Sequence, residues 1–408
     1  FGLTKKELSW VLYDVGNSAF VMLSTALIPV YFASIADPGS SVVVAWGYAE
    51  TVASLVLALL MPVLGSLADL AGNKKKFLVG FAGTGAVACA ALGVPEHALA
   101  FLVVYVIAAI MLNGSMVFYD AFLVDATTEE RYDKVSSHGY AWGYIGSCIP
   151  FIACLAVVLG GSSFGIDAKL GMKIAFIITA VWWVIFTVPV AKNVKQLHGK
   201  KRSDHVLRTT ISGLKGTVKS IMKDKRLLFF MLAFFFYIDG VHTVIKMSTS
   251  YGTDLGIDST QLVLALLVTQ FVAFPSAIAY GNLAKRFGTK RMLKVGVLAY
   301  FFIVLFAAFF LKSAVEFWIL AICVGLFQGG IQALSRSEYG KLIPKERANE
   351  YYGFFDIFGK YAAVMGTFLV SAFTQLTGSS SLGVLSIALL FIVGYLFLRA
   401  MPPMLGDS

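Results

Sequence analysis

Residues 65–75 read Gly-Ser-Leu-Ala-Asp-Leu-Ala-Gly-Asn-Lys-Lys, and residues 281–291 read Gly-Asn-Leu-Ala-Lys-Arg-Phe-Gly-Thr-Lys-Arg. The two stretches lie 216 positions apart, each at the end of a long apolar run. The same displacement carries Glu130-Arg131 to Glu346-Arg347. One offset joining two separate landmarks marks a duplicated unit, the arrangement of transporters that hold a central site between repeats.

Composition agrees with a chain built for lipid. Of 408 residues, 58% are apolar and only 14% charged, whereas soluble domains are about a quarter charged and less than half apolar. That balance excludes a water-facing globule, a disordered chain, a disulfide scaffold and a nucleic-acid module, despite a net charge of +10. A hydrocarbon core about 30 Å thick takes about 20 apolar residues per helix. Twelve such runs are present: 8–33, 42–68, 77–94, 98–124, 137–159, 173–191, 227–249, 260–284, 292–311, 314–335, 350–376 and 381–400. They are far longer than the roughly ten alternating residues of a barrel strand, and they leave little chain for a soluble catalytic domain. The predicted fold is therefore an all-α polytopic membrane protein with twelve transmembrane helices in two six-helix halves. Its parts are 1–191, a basic linker at 192–226, and 227–408. The first run carries Asp14 and Asn17 and reads as a first membrane helix, not as a cleavable signal peptide. Cys89, Cys148, Cys154 and Cys323 all fall in apolar runs, with no metal or disulfide spacing.

Lys and Arg placement gives orientation. With the N-terminus in the cytoplasm, segments 1–7, 70–76, 125–136, 192–226, 285–291 and 336–349 hold 26 of the 33 basic residues. The outer loops hold three: Lys169, Lys173 and Lys312. The positive-inside rule then puts both termini in the cytoplasm. The linker, with Lys200, Lys201, Arg202, Lys215, Lys219, Lys223, Lys225 and Arg226, is expected to form an amphipathic helix on anionic lipid.

The 65–76 segment resembles the loop 2–3 signature of the major facilitator superfamily, G-x-x-x-D-x-x-G-x-[RK]-[RK]. More specific stretches resemble its Atg22-like branch (vacuole effluxer, UMF1). They are Ser9-Trp10-Val11-Leu12-Tyr13-Asp14-Val15-Gly16-Asn17-Ser18-Ala19-Phe20, Phe118-Tyr119-Asp120-Ala121-Phe122-Leu123, Tyr237-Ile238-Asp239-Gly240-Val241, and Gly329-Gly330-Ile331-Gln332-Ala333-Leu334-Ser335-Arg336-Ser337. The resemblance implies a secondary transporter, with amino-acid efflux as the activity of the fungal members. It also implies that spans 1, 4, 7 and 10 line the cavity. For Asp69 it implies a gate whose partners are the start of span 11 and a basic residue below span 4, here Arg131. The second-half copy departs from the pattern, with Lys285 where Asp69 stands. Lys285 is expected to contact Glu129, Glu130 or Asp133 instead.

Read from the residues themselves, Asp69 sits at the negative end of its own helix dipole and needs another helix's N-terminus or a cation. Polar groups inside the spans need a partner, a cavity or a function. Asp239, His242 and Lys246 share one face of span 7 at i, i+3 and i+7, with Asp239 roughly 20 Å along the helix. Two readings of Asp239 are open: proton coupling, with Asp14 or Asp356 as other carriers, or a permanent ion pair with His242 or with another span. Gln328, Gln332, Ser335 and Arg336 share a face of span 10, where amides suit a polar zwitterion or hydroxylated solute or simply bond helices together. Arg336 is grouped with the gate. Asn113 and Asp120 share a face of span 4, and Asn17 lies one turn beyond Asp14 on span 1. Gln270 on span 8 is a further cavity candidate. Asp356 and Lys360 are spaced to neutralise each other. Asn17, Asn113, Gln328 and Gln332 are expected to face one central cavity, with Asp120, His242 and Gln270 also assigned to substrate.

The five His residues are scattered, with no HExxH or GxSxG motif, so an enzyme is not expected, nor a cofactor or metal. The predicted function is secondary active transport of a small polar solute by alternating access. An amino acid or related metabolite is the expected cargo, coupled to protons, in a monomer that binds no nucleic acid. A lipid or amphiphile flippase on the same fold is the alternative. The expected location is the bacterial cytoplasmic membrane, or the vacuolar membrane for a fungal chain.

Overall fold

The protein is described by a computed structural model covering residues 2–36, 42–200 and 206–402. Lys201 and Arg202 of the predicted linker lie outside the described residues. The first-half helices are α1 (Lys5–Ala26), α2 (Ile28–Ile35), α3 (Val42–Ala68), α4 (Lys74–Ala91), α5 (Ala98–Ala121), the short α6 (Leu123–Ala126), α7 (Tyr132–Gly160) and α8 (Ala168–Asn193). The linker forms α9 (Val206–Lys223). The second half holds α10 (Lys225–Asp254), α11 (Ser259–Phe287), α12 (Thr289–Phe310), α13 (Ala314–Leu342), α14 (Ala348–Thr377) and α15 (Ser380–Ala400).

Local chemistry sets the boundaries. Thr4 and Glu7 form a reciprocal capping box that starts α1. Pro29 cannot donate to the preceding turn, and α2 leaves α1 at 44°. Gly72 and Gly288 both turn the chain with positive φ, +82° and +86°. They are copies of each other at the 216 displacement, and the left-handed backbone there explains glycine in both.

Among the described residues, ten helices are long and apolar enough to cross a membrane, or eleven if α1 and α2 make one broken span. The predicted run that falls short is 77–94. Its helix, α4, has 18 residues and opens on Lys74, Lys75 and Lys76, so its apolar part is shorter than the run-length argument assumed.

The chain divides into two compact units, and neither is continuous in sequence. Unit 1 holds residues 1–128, 142–210 and 345–353; unit 2 holds 129–141, 211–344 and 354–408. The predicted halves therefore differ from the observed units by two exchanged segments, each at the start of a long helix, α7 or α14. Inside unit 1 the main pairings are α1 with α8, α4 with α5, α4 with α8, and α3 with α5. Unit 2 repeats them as α10 with α15, α12 with α13, α12 with α15, and α11 with α13. Identical pairings are what a duplicated six-helix unit requires.

Small residues decide how closely these helices approach. A Cβ at Gly330 of α13 would overlap the Tyr280 ring of α11, whereas Gly83 of α4 has nothing within 4 Å. Gly330→Ala is expected to destabilise by about 1–3 kcal/mol through overpacking. Gly83→Ala should be neutral or stabilising by up to about 1 kcal/mol from helix propensity. Thermal unfolding of the two purified variants checks the contrast.

Candidate functional site

Asp69 follows the last residue of α3, and its carboxylate is buried. The carbonyls ending its own helix repel it, and α14 compensates. Asp69 Oδ1 accepts from the Asn349 backbone N–H at 2.9 Å and from Asn349 Nδ2 at 2.8 Å. Its Oδ2 accepts from the Glu350 N–H at 3.0 Å. These first-turn amides have no acceptor within their own helix, and their positive dipole end suits an anion. Gly65, one turn earlier, permits the approach: a Cβ there would lie 2.6 Å from the Asn349 carbonyl oxygen. Burial pushes the Asp69 carboxyl up to about 6, against Lys74, Asn349 and Lys200, which hold it down. Lys74 is itself buried and pairs with Asp125 at 2.6 Å.

Unit 2 solves the equivalent problem with the charges exchanged. Lys285, the copy of Asp69, is exposed. The expected contact between Lys285 and the 129–133 acids is not the pairing found at Asp133. That carboxylate, in the first turn of α7, accepts from Lys341 Nζ and Thr289 Oγ1, each at 2.7 Å, and from Ser337 Oγ at 2.5 Å. Thr289 and Lys341 come from α12 and α13, which pack together. Arg336 is buried, donates to Ser136 Oγ and to its carbonyl, each at 2.9 Å, and stacks on Tyr140. Arg131 is half-buried and belongs to unit 2, and Lys74 and Lys200 are among the charges that act on Asp69. The 216 displacement turns Asp69 into Lys285, Asp120 into Arg336 and Asp125 into Lys341, and turns Lys134 into Glu350.

Deeper in unit 1, Asp14 accepts from Tyr119 Oη at 3.3 Å and lies 3.5 Å from Asn17 Nδ2. Asn17 is buried and also donates to the Tyr13 carbonyl. Tyr13 donates to Ser115 at 2.6 Å, and the Trp10 ring stacks on Tyr119 with centroids 4.3 Å apart. Asn113 donates to the Ala109 carbonyl on its own helix, and Asp120 is half-buried near Tyr13.

In unit 2, Asp239 is fully buried where α10 meets α14. Its Oδ1 accepts from the Gly366 N–H at 2.9 Å and from Thr243 Oγ1 at 3.3 Å. Its Oδ2 is buried with no hydrogen-bond partner among the described residues. His242 is hydrogen-bonded to the Gly359 backbone near the charges of Lys246 and Lys360, and the groups bonded to Asp239 are Gly366 and Thr243. Asp356 is ion-paired with Lys360. A mainly apolar cavity of about 80 Å³ opens among α10, α11, α12, α13 and α15, with Gln270, Gln328, Ser248, Thr269 and Tyr251 among its lining residues. Gln332 donates to the Gln328 carbonyl. Gln328 lines a cavity formed wholly by unit 2, whereas Asn17 is buried in the α1 packing of unit 1.

A family model described as "Vacuole effluxer Atg22 like" matches residues 40–403. The chain belongs to the Atg22-like family. It is 45% identical over 408 residues to an uncharacterized MFS-type transporter, YxiO, of Bacillus subtilis strain 168, covering 98% of this chain and 95% of that protein. Autophagy-related protein 22 of Cryptococcus neoformans is 26% identical over 64% of this chain, and the match spans 48% of that fungal protein. In fold the chain is similar to FucP, a major facilitator superfamily transporter in the outward conformation. The TM-score is 0.73 and the identity 13%, over 98% of this chain and 99% of that one. The proton:xylose symporter XylE gives a TM-score of 0.72 at 10% identity, over 98% and 94%. This Atg22-like chain is thus a membrane-spanning transporter of the major facilitator superfamily.

Sequence reasoning pointed Asp69 at the start of span 11 without naming Asn349 or Glu350, and it missed Lys74, Asp125 and Lys200 around Asp69 and Lys341 around Asp133. Applying the 216 displacement to every charge, not only to the loop motifs, exposes Asp125 with Lys341 and Lys134 with Glu350 as sign-inverted pairs. The Asp69 carboxyl, near 6 when buried and about 3.9 ordinarily, contributes stability in full below about pH 4 and loses it as pH rises through about 6. Wild type should therefore lose thermal stability relative to Asp69→Asn between pH 5 and pH 8. Parallel melting profiles for the two proteins would remove this assignment.

Proposed function

We propose that this Atg22-like transporter exports a small polar solute of the amino-acid class by alternating access, driven by protons carried on Asp239. The single observation that carries the coupling is the unpartnered Oδ2 of a fully buried carboxylate whose other oxygen is held by Gly366 and Thr243. Moving an isolated charge through hydrocarbon costs at least several kcal/mol. A carboxylate that changes exposure during a cycle therefore does better by changing protonation. Asp14 is bonded by Tyr119, and Asp356 is neutralised by Lys360, which favours Asp239 over both. The effluxer description of the family model supports the direction, and amides beside an apolar cavity suit an amino acid with an apolar side chain.

In this reading α4 is a twelfth span, with both termini and the linker in the cytoplasm and the Asp69 cluster acting as the cytoplasmic gate. Lys215, Lys219 and Lys223 are exposed on one face of α9 with Val218 and Met222, a pattern that suits an anionic lipid surface.

Asp239→Asn is expected to retain solute exchange in proteoliposomes but to lose accumulation driven by an imposed pH gradient, by about tenfold or more. Equal pH-driven accumulation in both proteins would overturn the coupling. Translocation of fluorescent lipid without solute exchange would replace the solute reading with the flippase one.

A further inference from the structure

The chain leaving α8 does not run free into the linker. Residues 196–200 lie as a strap across the end of α3. Lys200 N–H donates to the Asp69 carbonyl at 2.7 Å, and the Ala71 N–H donates to the Lys200 carbonyl at 3.1 Å. Gln196 Nε2 reaches the Ala68 and Asp69 carbonyls at 3.4 and 3.3 Å, while its Oε1 accepts the Lys74 N–H. The backbone N–H groups of Leu197 and His198 both donate to Asp125 Oδ1, at 2.8 and 2.9 Å. The carbonyls ending a helix have no partner within it, and the strap supplies donors for two of those at the end of α3. Gly199 fits because a Cβ there would stand 3.0 Å from the Asp69 carbonyl.

Fixed in this way, Lys200 points its ammonium at α14. Its Nζ lies 2.6 Å from Glu350 Oε2 and 3.3 Å from Ser66 Oγ. Glu350 is the residue whose backbone N–H Asp69 accepts, so strap and aspartate hold the same helical turn through different atoms. Glu350 has a second cation, Arg347, at 2.9 Å and three residues earlier on its own segment. This asymmetry is what a reversible contact needs. Removing the sole partner of a buried charge costs about 3–5 kcal/mol. If the first turn of α14 moves away from Asp69, Glu350 keeps Arg347, and Lys200, about a quarter exposed, turns to water and Ser66. Neither charge is stranded.

We propose that Lys200 is a second gate residue. With Glu350 it closes the cytoplasmic side beside Asp69, which makes the start of the linker a working part of the gate and not merely a tether. The proposal rests on the reading of the Asp69 cluster as the cytoplasmic gate.

The test uses the full chain in nanodiscs and follows hydrogen–deuterium exchange of the 345–353 segment, whose Asn349 and Glu350 amides report closure without any substrate. Lys200→Gln should speed exchange there by about tenfold, the equivalent of roughly 1.4 kcal/mol. Lys200→Arg should stay near wild type, and the double variant Lys200→Gln with Glu350→Gln should speed exchange by less than the product of the two single effects. That coupling is not expected from a lysine that only supports folding, and melting temperatures of the same variants identify any that fail to fold. Asp69→Asn is the reference for an open gate. If Asp69→Asn speeds exchange and Lys200→Gln does not, the second lock is wrong and the gate stands. If neither variant changes the segment, the gate reading falls, and this proposal with it.

Discussion

An anionic side chain at the wrong end of its own helix organises much of what surrounds it. Asp69 is buried against the negative terminus of α3, and it is tolerated because the first-turn amides of α14 meet it directly. Gly65 gives α14 the room, Gly72 turns the chain into α4, and Lys74 brings a positive charge that Asp125 then balances. The segment leaving α8 follows the same logic, with Gln196 and Lys200 covering the α3 carbonyls beneath the carboxylate. The loop motif is thus a set of answers to one electrostatic problem.

The duplicated half inherited the geometry but not the charges. Gly281 and Gly288 repeat the close approach and the turn, while Lys285, Lys341 and Asp133 stand where Asp69, Asp125 and Asn349 stand in the first copy. Each unit neutralises its own cluster locally, by Lys74 with Asp125 in one and by Lys341 with Asp133 in the other. Charge can be rearranged within such a cluster as long as the sum around each buried group stays near zero, because an unpaired buried ion is the costly state.

The mid-membrane acids divide by the same criterion. Asp14 sits in a net of Tyr119, Asn17 and neighbouring aromatic rings, and Asp356 is ion-paired. Among the described residues, Asp239 alone of these three has a buried carboxylate oxygen without a hydrogen bond. An unsatisfied polar atom in a dry interior is a standing cost, and its position beside Gly366, where a side chain would overlap Thr243, shows how tightly the two helices enclose it.

Apolar run lengths alone determined that this chain is a helical membrane protein, and one repeated offset determined that it is built twice, because both depend only on local composition and periodicity. The loop motif likewise made Asp69 legible as an acid in need of a helix N-terminus. Tertiary structure decided which partners it has: Asn349 and Glu350 are 280 and 281 residues away, and no spacing rule reaches that far. It also placed Gln328 in a cavity of one unit and Asn17 in the packing of the other, although both occupy polar helix faces of the same kind. A helical face can be read from a period of 3.6 residues; what that face meets is set by how helices distant in sequence pack. The start of the linker was the least legible part. Lysines at a membrane surface and a lysine aimed at one buried glutamate have the same composition, and only the backbone bonds of the strap tell them apart.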